Sequence, residues 1–188
     1  MTDTNLQKYD GVAMLLHWVT AVLMIVMIFF GEDLMGEGEE AGEAAGAAVS
    51  TFLPSIHVSI GVTILVLTVL RLLWRVMNPP PPYPATMKPW EVTVSKVTHL
   101  LFYVLMIGLP LTGWLAFPEF LRETPAMSGV TVFGLFPLPV APAFGEFGGE
   151  VHEIGSNAAM VLVILHVLAA LKHQFIDHDT ILRRMSPH

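Results

Sequence analysis

Along the chain, long apolar runs alternate with short polar or proline-rich breaks. Four runs reach about 20 residues, the length of helix that crosses a bilayer core. The first covers about 11–31 without a formal charge. The second covers about 55–74 and is interrupted only by Arg71 near its end. The third, about 97–117, is uncharged, and the fourth, about 151–173, carries Glu153 and Lys172 at its two ends. Each is predicted to be helical, because in hydrocarbon every backbone N–H and C=O must be satisfied within its own segment. A further uncharged stretch lies between Glu123 and Glu146, but it holds Pro125, Pro137, Pro139 and Pro142 together with Gly129, Gly134 and Gly145. Prolines that dense break a helix repeatedly, so an ordered loop is expected there, lying on the membrane surface or capping the bundle. The predicted fold is an all-α integral membrane four-helix bundle, one domain over residues 1–188.

The basic residues give this bundle a direction. With the N-terminus inside, Lys8, Arg71, Arg75, Lys88, Lys96, Lys172, Arg183 and Arg184 all fall on the cytoplasmic side, and only Arg122 falls outside. That is a strong positive-inside bias, and a fifth span would reverse it for Lys172, Arg183 and Arg184. The outer loops are acidic: Glu32, Asp33, Glu37, Glu39, Glu40 and Glu43 in the first, then Glu119, Glu123, Glu146 and Glu150 in the second. A cleaved signal peptide, with Ala44–Ala48 as the cleavage region, fits poorly. The first run is longer than a signal core of about 7–15 residues, and Asp3 and Asp10 precede or border it. The Pro79–Pro84 tract is expected to be a stiff cytoplasmic connector.

Composition narrows the function. Of 188 residues, 54% are hydrophobic and 13% charged, against about 25% charged in soluble domains. Nine Lys and Arg against sixteen acids leave no basic footprint for nucleic acid. The absence of Cys removes disulfides, thiolate metal sites, Cys nucleophiles and CxxCH heme attachment. The most chemically able side chain left is His, present eight times.

Four histidines lie within the spans, where ionisable groups are costly and tend to face the bundle interior. His17 lies toward the inner end of the first span and His57 near the outer end of the second. His152 and His166 share the fourth, about 21 Å apart along its axis and nearly on one face. By depth they form two cross-helix pairs, His57 with His152 at the outer level and His17 with His166 at the inner. A single membrane His is commonly a packing or hydrogen-bonding residue; four that pair by depth point to metal. Zinc would want four ligands at one level, whereas two per level suits heme iron, whose porphyrin supplies the other four nitrogens. Two axial histidines close the iron to O2 and favour electron transfer. Small residues one turn away (Ala13, Ala21, Gly61, Gly155, Ala169 and Ala170) would leave room for a macrocycle, although small residues also line ordinary membrane helix contacts.

Arg71 is a candidate partner for a heme propionate; anchoring at the inner face accounts equally well for Arg75 and Lys172. His99 and His173, both at the inner face, are candidates for reaching a quinone carbonyl or carrying its protons, or are simply interfacial polar residues.

The segments LLHW at 15–18, SIHVSIG at 55–61, THLLFYVLMIGLPLTGW at 98–114, VHEIGSNAA at 151–159, LHVLAALKH at 165–173 and DTILRRMSP at 179–187 resemble the bacterial cytochrome b561 family of di-heme membrane proteins. That family is itself similar to the cytochrome b subunits of nickel–iron hydrogenases. The resemblance runs in order over nearly the whole chain. It implies two b hemes on His17, His57, His152 and His166, in the bacterial inner membrane, passing electrons from a periplasmic donor to ubiquinone. Some similar proteins are superoxide oxidases. An acidic outer face would repel superoxide and attract a basic redox protein. Two other classes remain. One is a heme-bearing anchor subunit of a dehydrogenase or hydrogenase, which would co-purify with a large partner. The other is a divalent-metal transporter, weakened by the lack of mid-membrane Asp or Glu.

Overall fold

The computed structural model describes residues 7–45, 51–142, 144, 146–179 and 181–186. Residues 46–50, which hold most of the cleavage stretch considered above, lie outside the described residues, as do Asp3 and His188. Four long helices dominate: α1 (Gly11–Ala45), α2 (Phe52–Met77), α3 (Pro89–Glu123) and α4 (Glu146–Phe175). All four are long and apolar enough to cross a membrane. Each extends beyond the apolar run that predicts it. The largest difference is at α1, which continues as helix to Ala45 through the acidic stretch expected as a loop. That stretch consists of Glu, Ala, Leu and Met with glycines and Asp33, and Glu, Ala, Leu and Met are strong helix formers.

Between α3 and α4 the proline-rich segment is non-spanning, as expected. It forms a 3-10 turn (Pro125–Gly129) and a small hairpin of β1 (Thr131–Val132) and β2 (Phe136–Pro137). The strands are antiparallel, with Val132 opposite Phe136. Phe133 and Gly134 form the turn, both with positive φ. Glycine adopts that conformation freely, whereas for Phe133 it is uncommon. We call the bundle end carrying this hairpin the upper end, and the end where Gln7 and Tyr9 meet Arg184 the lower end.

Helix α1 packs chiefly on α2, and α3 on α4, with α2 meeting α3. Helix α4 stands off from α1 along most of its length. At the waist each helix contributes one buried residue: Met24, Ile64, Met106 and Ala159. Thr20 and Thr68 are also buried, and each donates to the carbonyl one turn back, Leu16 and Ile64, at 2.7 Å.

The lower end is tied by polar contacts. Asp10 accepts from the Ala13 N–H at 2.9 Å and from the Trp74 indole at 3.0 Å, which starts α1 and joins it to α2. Burial alone would raise its carboxyl, but these hydrogen bonds hold it below the ordinary value. Arg184, buried, donates to the carbonyls of Gln7 at 2.7 Å and Pro82 at 2.8 Å, so one guanidinium joins the N-terminal segment, the proline connector and the C-terminal tail.

Candidate functional site

The four span histidines occupy positions set by a seven-residue rhythm on every helix. From each waist residue, seven steps one way reach Gly31, His57, Gly113 and His152, and seven steps the other way reach His17, Arg71, His99 and His166. A seven-residue repeat keeps one seam of a helix facing its neighbours as the bundle supercoils. The bundle therefore has an upper level, a waist and a lower level.

At the upper level the rings of His57 and His152 face each other with centroids 6.2 Å apart. His57 Nδ1 lies 3.0 Å from the Gly31 carbonyl, and His152 Nδ1 lies 2.9 Å from the Leu109 carbonyl. A carbonyl only accepts, so both rings carry the proton on Nδ1 and keep Nε2 as a free lone pair. Gly113 makes space for this: a Cβ there would lie 3.0 Å from His152 Cε1 and 3.1 Å from its Nδ1.

At the lower level the rings of His17 and His166 are 6.3 Å apart. His166 also meets Phe102 at 5.3 Å and His99 at 6.0 Å, edge to face. His99 Nδ1 donates to the Ser95 carbonyl at 2.6 Å. His17 differs from the upper pair, because Arg71 Nη1 donates to its Nδ1 at 3.0 Å. A guanidinium has no acceptor, so here Nδ1 accepts and the ring proton sits on Nε2. The Tyr103 hydroxyl is sealed from solvent beside Arg71 without closing a well-formed hydrogen bond. Below Arg71 opens a cavity of about 400 Å³ lined by Tyr9, Asp10, Trp74, Arg75 and Tyr103.

The distances discriminate between fillings. A metal–imidazole bond of about 2.0 Å and ring bonds of about 1.33 Å put the centres of two imidazoles on opposite sides of one ion about 6.3 Å apart. Both levels meet that spacing. The upper pair also has the required tautomers. The lower pair fits in spacing, but an Nε2 bond to iron there requires Arg71 to release Nδ1. Arg71 is the cation in direct contact with the lower pair, through His17.

Other expected residues are placed differently. A Cβ on Gly61 would meet nothing within 4 Å, so that position leaves open space, whereas a Cβ on Gly155 would lie 2.9 Å from Leu109 Cδ2, so the space there is taken by α3; the close fit against a ring is at Gly113. His173 is drawn into an ion cluster: its Nδ1 lies 2.6 Å from Asp179 and 3.1 Å from Asp177. Lys172 bridges Asp177 at 2.5 Å and Glu91 at 3.0 Å in the same cluster. Gly31, Gly113 and the Leu109 carbonyl carry no chemical signature in the sequence, although the seven-residue step from Met24 and Met106 leads to both glycines.

Four helices able to span a membrane, with histidine rings facing one another at two depths, are the frame of a membrane cytochrome, and the family match supplies the b type. The chain belongs to the prokaryotic cytochrome b561 family, whose model matches residues 8–188. It is 30% identical to cytochrome b561 homolog 2 of Escherichia coli strain K12, over 98% of this chain and 95% of that protein. It is 28% identical to the probable superoxide oxidase CybB of Yersinia pestis, over 96% and 97% of the two chains. Cytochrome b562 of Cereibacter sphaeroides matches at 27% over 94% of each. Family membership makes this chain a bacterial membrane electron-transfer protein that carries b-type heme.

Proposed function

We propose that this chain binds two b hemes in the bacterial inner membrane and passes electrons from a periplasmic donor to the ubiquinone pool. The observation that carries the reading is the matched ring spacing at two levels, 6.2 Å and 6.3 Å, on helices that are otherwise separate in sequence. Heme b, when bound, would supply a one-electron iron couple, and His57, His152, His17 and His166 are the residues that would hold it. The protein's part is to present neutral imidazoles. Gly31 and Leu109 fix the upper rings by accepting their Nδ1 protons, and Phe102 holds His166 at the lower level. The positive-inside bias of the sequence supports a cytoplasmic lower end.

At that lower end we assign quinone and proton handling to His99 and His173. His99 sits directly against His166. His173 is paired with Asp179 close to the inner surface, an arrangement suited to passing protons inward. Arg71 is the proposed propionate partner.

At the upper end the donor is proposed to be a small basic redox protein. Glu32, Asp33, Glu123, Glu146 and Glu150 are exposed there. Arg122, the basic residue at this end, is already paired with Glu119 and lies 3.6 Å from Glu123. An anion finds no uncommitted cation among the described residues of that end.

A reduced-minus-oxidised visible spectrum with a pyridine hemochrome assay tests the reading. Two b hemes per chain are expected. His57→Ala and His152→Ala each remove one center, and His17→Ala and His166→Ala each remove the other. Loss of the same center in His17→Ala and His57→Ala would overturn the pairing.

A further inference from the structure

The hairpin between α3 and α4 is placed against a membrane-facing stripe. On α2, Phe52, Ser59, Val66 and Leu73 recur every seven residues, and Phe52, Val66 and Leu73 are 65%, 51% and 56% exposed. Ser59 belongs to that outward stripe, and the hairpin covers it. The Phe133 N–H donates to Ser59 Oγ at 2.7 Å, and the Thr131 N–H donates to Ser55 Oγ at 2.9 Å. Both serines spend their own protons on carbonyls one turn back, those of Ser55 and Thr51.

Those bonds fix the depth of the hairpin. Helix α2 has 26 residues, so at 1.5 Å per residue it exceeds a hydrocarbon core of about 30 Å by about 4–5 Å at each end. Ser59 lies seven residues in from Phe52, about 10 Å along the axis. The hairpin turn therefore reaches about 6 Å past the hydrocarbon boundary, the depth at which interfacial segments lie. A backbone N–H at that depth needs a partner within the protein, which Ser59 supplies. The side chains agree: Leu135 is 73% exposed, Phe136 63% and Phe133 55%. No formal charge lies between Glu123 and Glu146. The far side of the loop is anchored by Met127 and Val130, packed on Phe117 and Val58. The Trp114 indole donates to the Pro139 carbonyl at 2.7 Å, at a position suited to an interfacial tryptophan.

We infer that the 131–137 hairpin is a lipid-binding wedge that sits in the upper leaflet, with Phe133, Leu135 and Phe136 among the acyl chains. Acyl chains match this surface because it is uncharged and continuous with the lipid-facing stripe of α2. A basic soluble partner would find its complement on the neighbouring carboxylates instead.

The chain has no cysteine, so single spin labels report cleanly. Leu135→Cys and Phe136→Cys would be labelled with a nitroxide in phosphatidylcholine/phosphatidylglycerol vesicles, alongside Val66→Cys as a lipid reference and Glu150→Cys as a water reference. Power saturation with oxygen and with a nickel chelate is then compared. The expected result is an oxygen-to-nickel ratio at 135 and 136 that rises well above the Glu150 value and stays below that of Val66, which lies seven residues, about 10 Å, deeper along α2 than Ser59. A ratio matching Glu150 would overturn the inference by placing the hairpin in water. Protection from both reagents would overturn it by showing a protein cover, from a partner or a second copy. An unchanged visible spectrum confirms that each labelled variant is folded.

Discussion

Gly113 faces His152 so closely that one added methyl group meets the ring, 3.0 Å from Cε1 and 3.1 Å from Nδ1. The ring cannot yield easily, because its Nδ1 is held by the Leu109 carbonyl at 2.9 Å and flanked by Thr112 Oγ1 at 3.3 Å. Gly113→Ala is expected to lower occupancy of the upper center, and Gly113→Val to abolish it, with the lower center retained in both. Gly31 gives the contrast. A Cβ there would lie 3.7 Å from His57, an ordinary contact, and the carbonyl that accepts the His57 proton is unaffected by the side chain. Gly31→Ala should keep both centers. Heme stoichiometry by pyridine hemochrome checks the pair, and the opposite ranking would show that the rings are not placed as described. The histidines themselves are legible from sequence, because an ionisable group inside an apolar run stands out. Their supports are not. A glycine that makes room and a backbone carbonyl that accepts a proton carry no side-chain signature, so Gly113 and the Leu109 carbonyl emerge only when the helices are assembled.

At the scale of elements, the helices are readable because each must be continuously apolar to cross a bilayer, while their ends are not, because nothing stops a helix at the hydrocarbon boundary. Helix α1 runs on through Glu32 and Asp33 to Ala45, and α3 begins at Pro89, before its apolar run. Proline at the first turn of α3 is favourable, since its missing N–H has no helical partner there. Pairwise packing was equally hidden. Helix α4 approaches the backbone of α3 closely at Gly148, where a Cβ would come within 3.0 Å of the Ala116 backbone nitrogen and 3.2 Å of its Cα. Backbone cannot move aside as a flexible side chain can, so Gly148→Val forces α4 away from α3. Overpacking of that kind costs about 1–3 kcal/mol. A lower midpoint of thermal unfolding in detergent is expected, whereas Gly149→Ala, with nothing within 4 Å of its Cβ, should leave it unchanged or slightly raised. Comparable losses in both variants would mean that the α3–α4 contact is not the close one.

For the whole molecule, the distribution of charge separates the two kinds of donor. The lower end carries the cations: Arg184 buried among three segments, Arg71 beside His17, and Lys172 in the cluster with Glu91 and Asp177. The upper end has exposed carboxylates on α1, α3 and α4, and its Arg122 is consumed by Glu119 and Glu123. A field of that sign lowers the local concentration of an approaching anion and raises that of a cation, and dissolved salt weakens both effects. Reduction of the heme by superoxide should therefore become faster as ionic strength rises. Reduction by a basic redox protein should become slower. Arg122→Glu should deepen the salt dependence in both cases without altering heme content, because the residue is exposed and remote from either histidine level. Stopped-flow reduction across a range of salt concentrations measures these slopes directly. Superoxide reduction near the diffusion limit that slows with added salt would refute the steering argument and return superoxide to the position of preferred donor.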